Sequence, residues 1–341
     1  MTTNKINNSF KDFQTNSKNL FFDSVFTILI FCVMFLIISS PLTYTSGTIE
    51  GLKLFVFSVL PGLFPFMFLT KLLTEVGFVF KISQKFDRFS YKVFGTPGVS
   101  LYALLMSILS GYPIGAKIIS DLFKKGQITE KEAQKMSVFC TTSGPVFVIG
   151  TVGSLMFSNF LFGVILYLSH ILSSIFLGII FNLFDKTKPQ EHSYQKIEVQ
   201  KSKNLLSHCI SETINSLFVV GAYITLFFLV SELFSHLKLF DILTSLFAPI
   251  FSKLGLDLKY LTGLFYGIVE VTRGAKTLSA LAYPASLILT SGIISFSGIS
   301  ILMQSLAFLK EAKIKAHTFI LSKCVHMIVS MIFCAGLLII I

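Results

Sequence analysis

The 341-residue sequence predicts an all-α polytopic membrane protein made of two inverted repeats, with re-entrant helical hairpins, broken transmembrane helices and one extra N-terminal helix. Three observations predict it. Hydrophobic residues make up 53% of the chain and charged residues only 13%, against roughly 25% charged in ordinary globular domains. Apolar runs approaching the ~20 residues of a bilayer-spanning helix recur along the whole chain. Four of these runs carry Ser-, Gly- and Pro-containing interruptions, which fall in the same order in the two halves. The low charge and the 38 phenylalanines exclude a disordered chain, which needs a polar, highly charged composition.

Residues 1–23 read as a polar cytoplasmic tail. Residues 24–41 form the N-terminal transmembrane helix, SVFTILIFCVMFLIISS closed by Pro41. The run exceeds a signal-peptide core and no small-x-small cleavage pattern follows, so a retained helix is expected. The first repeat covers 52–184. It starts with the span Leu52–Leu73, which Pro61 and Pro65 are expected to break. Gly77–Phe94 places Lys81, Lys85, Arg88 and Lys92 between apolar residues at helical spacing, the pattern of a helix lying at the membrane surface. Val99–Ile119 carries SGYPIGAK in its middle. In the polar connector Asp121–Met136, Thr129 is set to cap a helix, with Glu132 completing a capping box. Ser137–Phe157 is interrupted by TTSGP, and Phe160–Phe184 is continuous.

Residues 185–204 read as a cytoplasmic linker. The second repeat, 205–341, runs through the same sequence of elements. Leu205–Phe234 is a span and Leu239–Phe251 is amphipathic. Tyr260–Ala282 carries EVTRGAK, Tyr283–Leu309 is interrupted by LTSGIISFSG, and His317–Ile341 closes the chain. Gly115-Ala116-Lys117 answers Gly274-Ala275-Lys276, and Thr142-Ser143-Gly144 answers Thr290-Ser291-Gly292. The expectation is about seven spans and two hairpins.

The net charge of +11 is first a topology signal. With the N-terminus in the cytoplasm and each hairpin entering and leaving on one side, 22 of the 28 basic residues fall on the cytoplasmic side, including Lys310–Lys323. That is a strong positive-inside bias, and it removes the argument for a nucleic-acid partner. The five cysteines include no CxxC pair and read as small apolar residues.

Non-helical backbone survives at membrane depth only where protein buries it or water reaches it. Paired interruptions in inverted halves therefore point to a midplane site built from discontinuous helices. The candidate solute-binding residues are Ser110, Gly111, Tyr112, Gly115 and Lys117 in the first hairpin, with Thr142, Ser143 and Gly144 in the span after it. In the second half they are Glu270, Thr272, Arg273, Gly274 and Lys276, then Thr290, Ser291 and Gly292. Arg273, Lys276 and Lys117 are expected to form a cationic end that suits an anion. Glu270 and Arg273, three apart, share a helical face and can neutralise each other. Glu212 and Glu232 bracket one span, and His170 is expected to be a packed, hydrogen-bonded histidine. No metal site, cofactor motif or catalytic constellation appears, so an enzyme is not expected.

Ser110–Lys117 (SGYPIGAK), Gly126–Ala133 (GQITEKEA), Ser143–Gly153 (SGPVFVIGTVG) and Pro61–Phe66 (PGLFPF) together resemble the YlbJ family of sporulation integral membrane proteins. The resemblance implies a nucleoside-recognition gate domain, related in architecture to concentrative nucleoside transporters. It also implies movement of dipicolinic acid across the outer forespore membrane. The expected partners are thus a small organic anion and the lipid bilayer, with a homo-oligomer left open. A nucleoside or other neutral solute on the same scaffold is one alternative. A non-transporting membrane assembly protein of the developing spore is the other.

Overall fold

Along the long helices, large apolar side chains face outward and small polar ones face inward, the reverse of a soluble bundle. In the computed structural model, which describes residue 24 and residues 27–184, 204–253 and 257–340, this arrangement holds on three helices. Leu168, Leu172 and Phe176 form an exposed stripe on α8 (Phe160–Phe184). Ile210, Ile214 and Phe218 do so on α9 (Leu205–His236), and Leu321, Ile328 and Ile332 on α15 (Ala316–Ile340). Their buried faces carry Ser169, His170 and Ser173; Thr213, Ser216 and Gly221; and Ser322, Lys323 and His326. Apolar stripes fit lipid, and small or polar residues are the usual contacts between helices in a bilayer.

The described residues form helices with no strand. Helix α1 (Thr27–Ser39) is only 13 residues long and turns by 101° into the next helix at Ser40–Pro41. A helix of that length spans about 20 Å, so α1 alone falls short of the expected N-terminal crossing over 24–41, and the chain continues into α2 (Pro41–Leu54). The polar tail expected over 1–23 lies outside the described residues, as does the linker of 185–204 apart from Asn204.

The expected break at Pro61 and Pro65 does not occur. Helix α2 runs through a π-helical turn, Phe55–Val59, into α3 (Leu60–Glu75), which holds Pro65 inside it. Each proline removes an amide donor and crowds the preceding turn. A widened turn just before Pro61 takes up that mismatch without ending the helix. The combined helix lies along α9, drawn in by small residues. A side chain on Gly51 would meet the Thr225 backbone and Phe228 at 3.0 Å, and one on Gly47 would run into Glu232.

The elements then repeat in order. Amphipathic α4 (Phe78–Phe94) turns by 84° into the next helix, as a helix at the membrane surface should. The first hairpin is α5 (Val99–Ser110) and α6 (Ile114–Lys124). Helix α7 (Glu130–Phe139) starts with the expected capping box: the Thr129 hydroxyl accepts from the Glu132 amide, and the Glu132 carboxylate accepts from the Thr129 amide. A non-helical stretch and the π-helix Val146–Met156 follow before α8. In the second half α9 precedes α10 (Leu239–Lys253). The hairpin is α11 (Leu258–Val269) and α12 (Val271–Ser279), then come α13 (Ala285–Phe296), α14 (Gly298–Leu309) and α15. The second hairpin closes at its base, where the Tyr260 hydroxyl donates to the Ala282 carbonyl at 2.8 Å.

Among the described residues, four helices are long and apolar enough to cross a bilayer, Phe160–Phe184, Leu205–His236, Ala285–Ala312 and Ala316–Ile340, or up to six if each bent pair is one span. The expected seven are reduced because Ser137–Phe157 is split at Cys140–Gly144 and the first apolar run is short and bent.

Enlarging the contact between α2 and α9 tests this packing. Gly51→Leu should destabilise the detergent-solubilised protein by about 1–3 kcal/mol through overpacking, read as a lowered thermal midpoint. Gly336→Ala, where nothing stands within 4 Å of an added Cβ, should leave it unchanged.

Candidate functional site

Two groups of charges mark the ends of α9. Near its start, Glu212 pairs with Lys117 at 3.8 Å. Around that contact, Lys117 also meets Asp121 at 3.2 Å, Lys71 meets Glu75 and Asp121, and Lys125 meets Glu75 at 3.0 Å. Lys124 pairs with Glu311 close by. Near the far end, Glu232 accepts from Arg273 at 2.8 Å. Twenty residues of α-helix separate Glu212 from Glu232, about 30 Å and so about the thickness of a bilayer's hydrocarbon core. The first hairpin is therefore fastened at one end of α9 and the second at the other.

The hairpin tips meet between these ends. They bound a cavity of about 140 Å³. Ser110, Gly111 and Tyr112 come from the first tip, and Glu270, Val271 and Thr272 from the second. Ser143, Gly144 and the start of the π-helix close a third side, and Ser300, Ile301 and Gln304 of α14 a fourth. Leu63 and Phe66 of α3, with Val220 and Ile224 of α9, complete an apolar wall. The Ser110 hydroxyl is buried there without a hydrogen-bond partner. Glu270 is the one ionisable acid or base lining the cavity other than the Tyr112 phenol, among the described residues.

The break between α7 and the π-helix is held by side chains from three other elements. The Thr142 amide donates to the Ser107 hydroxyl at 2.8 Å, and the Ser143 amide donates to His170 Nε2 at 2.8 Å. The Thr141 carbonyl accepts from Lys323 Nζ. Lys323, wholly buried, also donates to the Tyr112 hydroxyl at 3.1 Å. Because Nε2 of His170 accepts, its proton sits on Nδ1 and is shared with the Ser295 hydroxyl at 2.8 Å. His326 stacks on His170 with ring centroids 4.8 Å apart, and its Nε2 donates to the His170 carbonyl at 3.1 Å. His170 is thus packed and hydrogen-bonded, as expected.

Close backbone approach explains two glycines. Gly111 has φ 86° and ψ −173°, a region essentially reserved for glycine. A side chain there would stand 2.5 Å from the Gly144 nitrogen. Gly115 similarly lets α6 press against the Cys140 carbonyl.

Of the residues expected from sequence, Ser110, Gly111, Tyr112, Ser143, Gly144, Glu270 and Thr272 line the cavity. Thr142 stands behind the wall on Ser107. Gly115 and Gly274 serve helix contact, the latter against Gly267. The expected cationic end does not form. Lys117 and Arg273 belong to opposite ends of α9, each engaged by a carboxylate, and Lys276 is exposed. Nor do Glu270 and Arg273 neutralise each other side by side. The Glu270 carboxylate caps α12 by accepting the Arg273 amide at 2.8 Å, while the guanidinium turns to Ser231 and Glu232 and stacks on Tyr266. Thr290, Ser291 and Gly292 lie inside continuous α13, where Gly292 packs against Met327 and Met331. The break in the second half comes later, at Ser297 and Gly298, both at positive φ. Lys323, expected on the cytoplasmic side, is instead in the core beside the cavity. Sequence reasoning missed it, along with Ser300 and Gln304. The lone amide of Gln304 within the apolar run ISILMQSLAFL was the available signal.

Fold and site together define a polytopic helical membrane protein whose paired hairpins and interrupted helices enclose a small cavity. Residues 56–160, from the π-helical turn to the start of α8, match the family model described as Gate, nucleoside recognition. The chain is 27% identical over 323 residues to the sporulation integral membrane protein YlbJ of Bacillus subtilis (strain 168), covering 87% of this chain and 78% of that protein. The resemblance drawn from the sequence motifs is thereby borne out. No solved structure matches the chain.

Gly111→Ala should cost about 1–3 kcal/mol from backbone strain alone, seen as a lowered thermal midpoint. Arg273→Ala should cost about 1.5–3 kcal/mol by leaving Glu232 unpaired. The exchange of Glu232→Arg with Arg273→Glu should recover part of that loss, which the same melting measurement checks.

Proposed function

We propose that this protein is a secondary transporter or facilitator of a small, single-ring organic anion, with dipicolinate the best candidate, in the outer forespore membrane. The observation that carries the reading is the cavity at the meeting of two hairpin tips fastened at opposite ends of α9. An engineered cavity of ~150 Å³ accommodates benzene, so about 140 Å³ suits one planar ring. Leu63, Phe66 and Ile301 offer apolar faces to such a ring, while Tyr112, Ser300 and Gln304 offer polar groups to its substituents. The opposite fastening of the hairpins supports an inverted relation of the repeats. The lysines gathered around Glu212 support a cytoplasmic position for that end. The relative's name supports a role in sporulation.

A second reading, transport of a nucleoside or another neutral ring, is favoured by two observations. The carboxylate in the cavity wall, Glu270, opposes an anion, and the matched domain is described as nucleoside recognition.

Purified protein in liposomes separates the two. Labelled dipicolinate should enter saturably and without competition from uridine, and Gln304→Leu should reduce that uptake about tenfold, equivalent to ~1.4 kcal/mol. Uridine uptake without competition from dicarboxylates selects the second reading. No saturable uptake of either solute under any ion gradient rejects both.

A further inference from the structure

Lys71, Lys117, Lys124, Lys125 and Arg273 each have a carboxylate partner. Lys323, wholly buried, has none within reach among the described residues. The titratable groups facing it from the elements around it carry no negative charge. Tyr112, at the first hairpin tip, accepts its hydrogen bond. Cys140, at the end of α7, donates as a thiol to the Ser100 carbonyl at 3.4 Å. His170 of α8 is fixed as the neutral Nδ1–H form by its two bonds. His326, on α15 itself, donates through Nε2, and its Nδ1 is buried without a partner. An isolated ammonium in such surroundings is strongly disfavoured, and it becomes stable only with a counter-charge.

The Tyr112 phenol can supply the connection. It lines the cavity while accepting from Lys323. Its hydroxyl also meets the Ser297 side chain, and because a hydroxyl both donates and accepts, its O–H can turn from Ser297 towards a carboxylate in the cavity. We propose that Tyr112 and Lys323 together form the anion-receiving end of the cavity, with Lys323 protonated while a solute carboxylate is bound and neutral when the cavity is empty. This rests on the transport reading above and deepens it. Each dianion brings one proton with it: the carboxylate docks on the Tyr112 hydroxyl, and the Lys323 amine takes up H⁺ from water to become the ammonium. On release the proton leaves with the solute. Glu270, at the opposite tip, repels carboxylates and so directs the charged end of the solute towards Tyr112.

Titration calorimetry of dipicolinate into the full-length protein in detergent, in buffers of different ionisation enthalpy, tests the inference. The wild type should take up about one proton per dianion bound near neutral pH. Lys323→Gln and Lys323→Arg should take up none, the first because the amine is gone, the second because guanidinium is permanently charged. Lys323→Gln should also weaken binding at least about tenfold. Tyr112→Phe, which keeps the ring and its packing, should weaken dicarboxylate binding to a similar degree with the thermal midpoint retained. Binding by the wild type without proton uptake overturns the inference, as does undiminished proton uptake in both Lys323 variants. Failure of the wild type to bind overturns it as well. Intact liposome uptake with no proton uptake on binding rejects this inference alone. Proton-linked binding without liposome uptake rejects the transport reading alone.

Discussion

Backbone amides and carbonyls removed from water must find partners, and in this protein the cavity exists because that demand is met without a helix. Between α7 and the π-helix the chain leaves helical geometry at Cys140–Gly144. Ser107 takes the Thr142 amide, His170 the Ser143 amide, and Lys323 supplies a donor to the Thr141 carbonyl. These three side chains come from α5, α8 and α15, so the break is a point at which distant parts of the chain are tied together. The hydroxyl of Ser107, the tautomer of His170 and the burial of Lys323 all follow from the needs of five residues of backbone.

The charged residues obey a related constraint on a larger scale. A carboxylate or ammonium at membrane depth is tolerated when paired or when it reaches an aqueous edge. Glu212 and Glu232 sit about one bilayer thickness apart on α9, and each engages one cation of the hairpin nearest to it, Lys117 and Arg273. Charges that would otherwise compete for the cavity are thereby held at its two margins. What remains inside is a nearly uncharged chamber with Glu270 on one side and the Tyr112–Lys323 pair on the other.

Much of this was legible in the sequence, for identifiable reasons. Apolar runs, the capping box at Thr129 and Glu132, and the amphipathic stretch of α4 are local signals, and all appear as read. The tips Ser110–Tyr112 and Glu270–Thr272 were legible because glycine or a charge inside an apolar run has few other uses. Spatial partnership was not legible. Arg273 lies three residues from Glu270, yet its guanidinium goes to Glu232, 41 positions away in the chain. Thr290–Gly292 repeats the letters of Thr142–Gly144 but not their conformation, since α13 has an uninterrupted hydrogen-bond ladder until Ser297. Lys323 looked like one more basic residue near a helix end. Only the return of α15 past Tyr112 and Thr141 places it inside. Prolines were overread, because a π-helical turn can absorb what two prolines disturb.

The lengths of the hairpin helices have a consequence for how the molecule comes to be made. Helices α5, α6, α11 and α12 have 12, 11, 12 and 9 residues, about 14–18 Å each and too short to reach across the hydrocarbon layer. Their tips would leave unpaired backbone in lipid if they inserted alone. Helices α8, α9 and α15 can enter the bilayer on their own account, and the polar faces they turn towards one another become the only suitable bed for the hairpins. Biogenesis therefore has an order: the long helices are threaded first, and the cavity closes last, as the tips settle onto one another and onto the break before the π-helix.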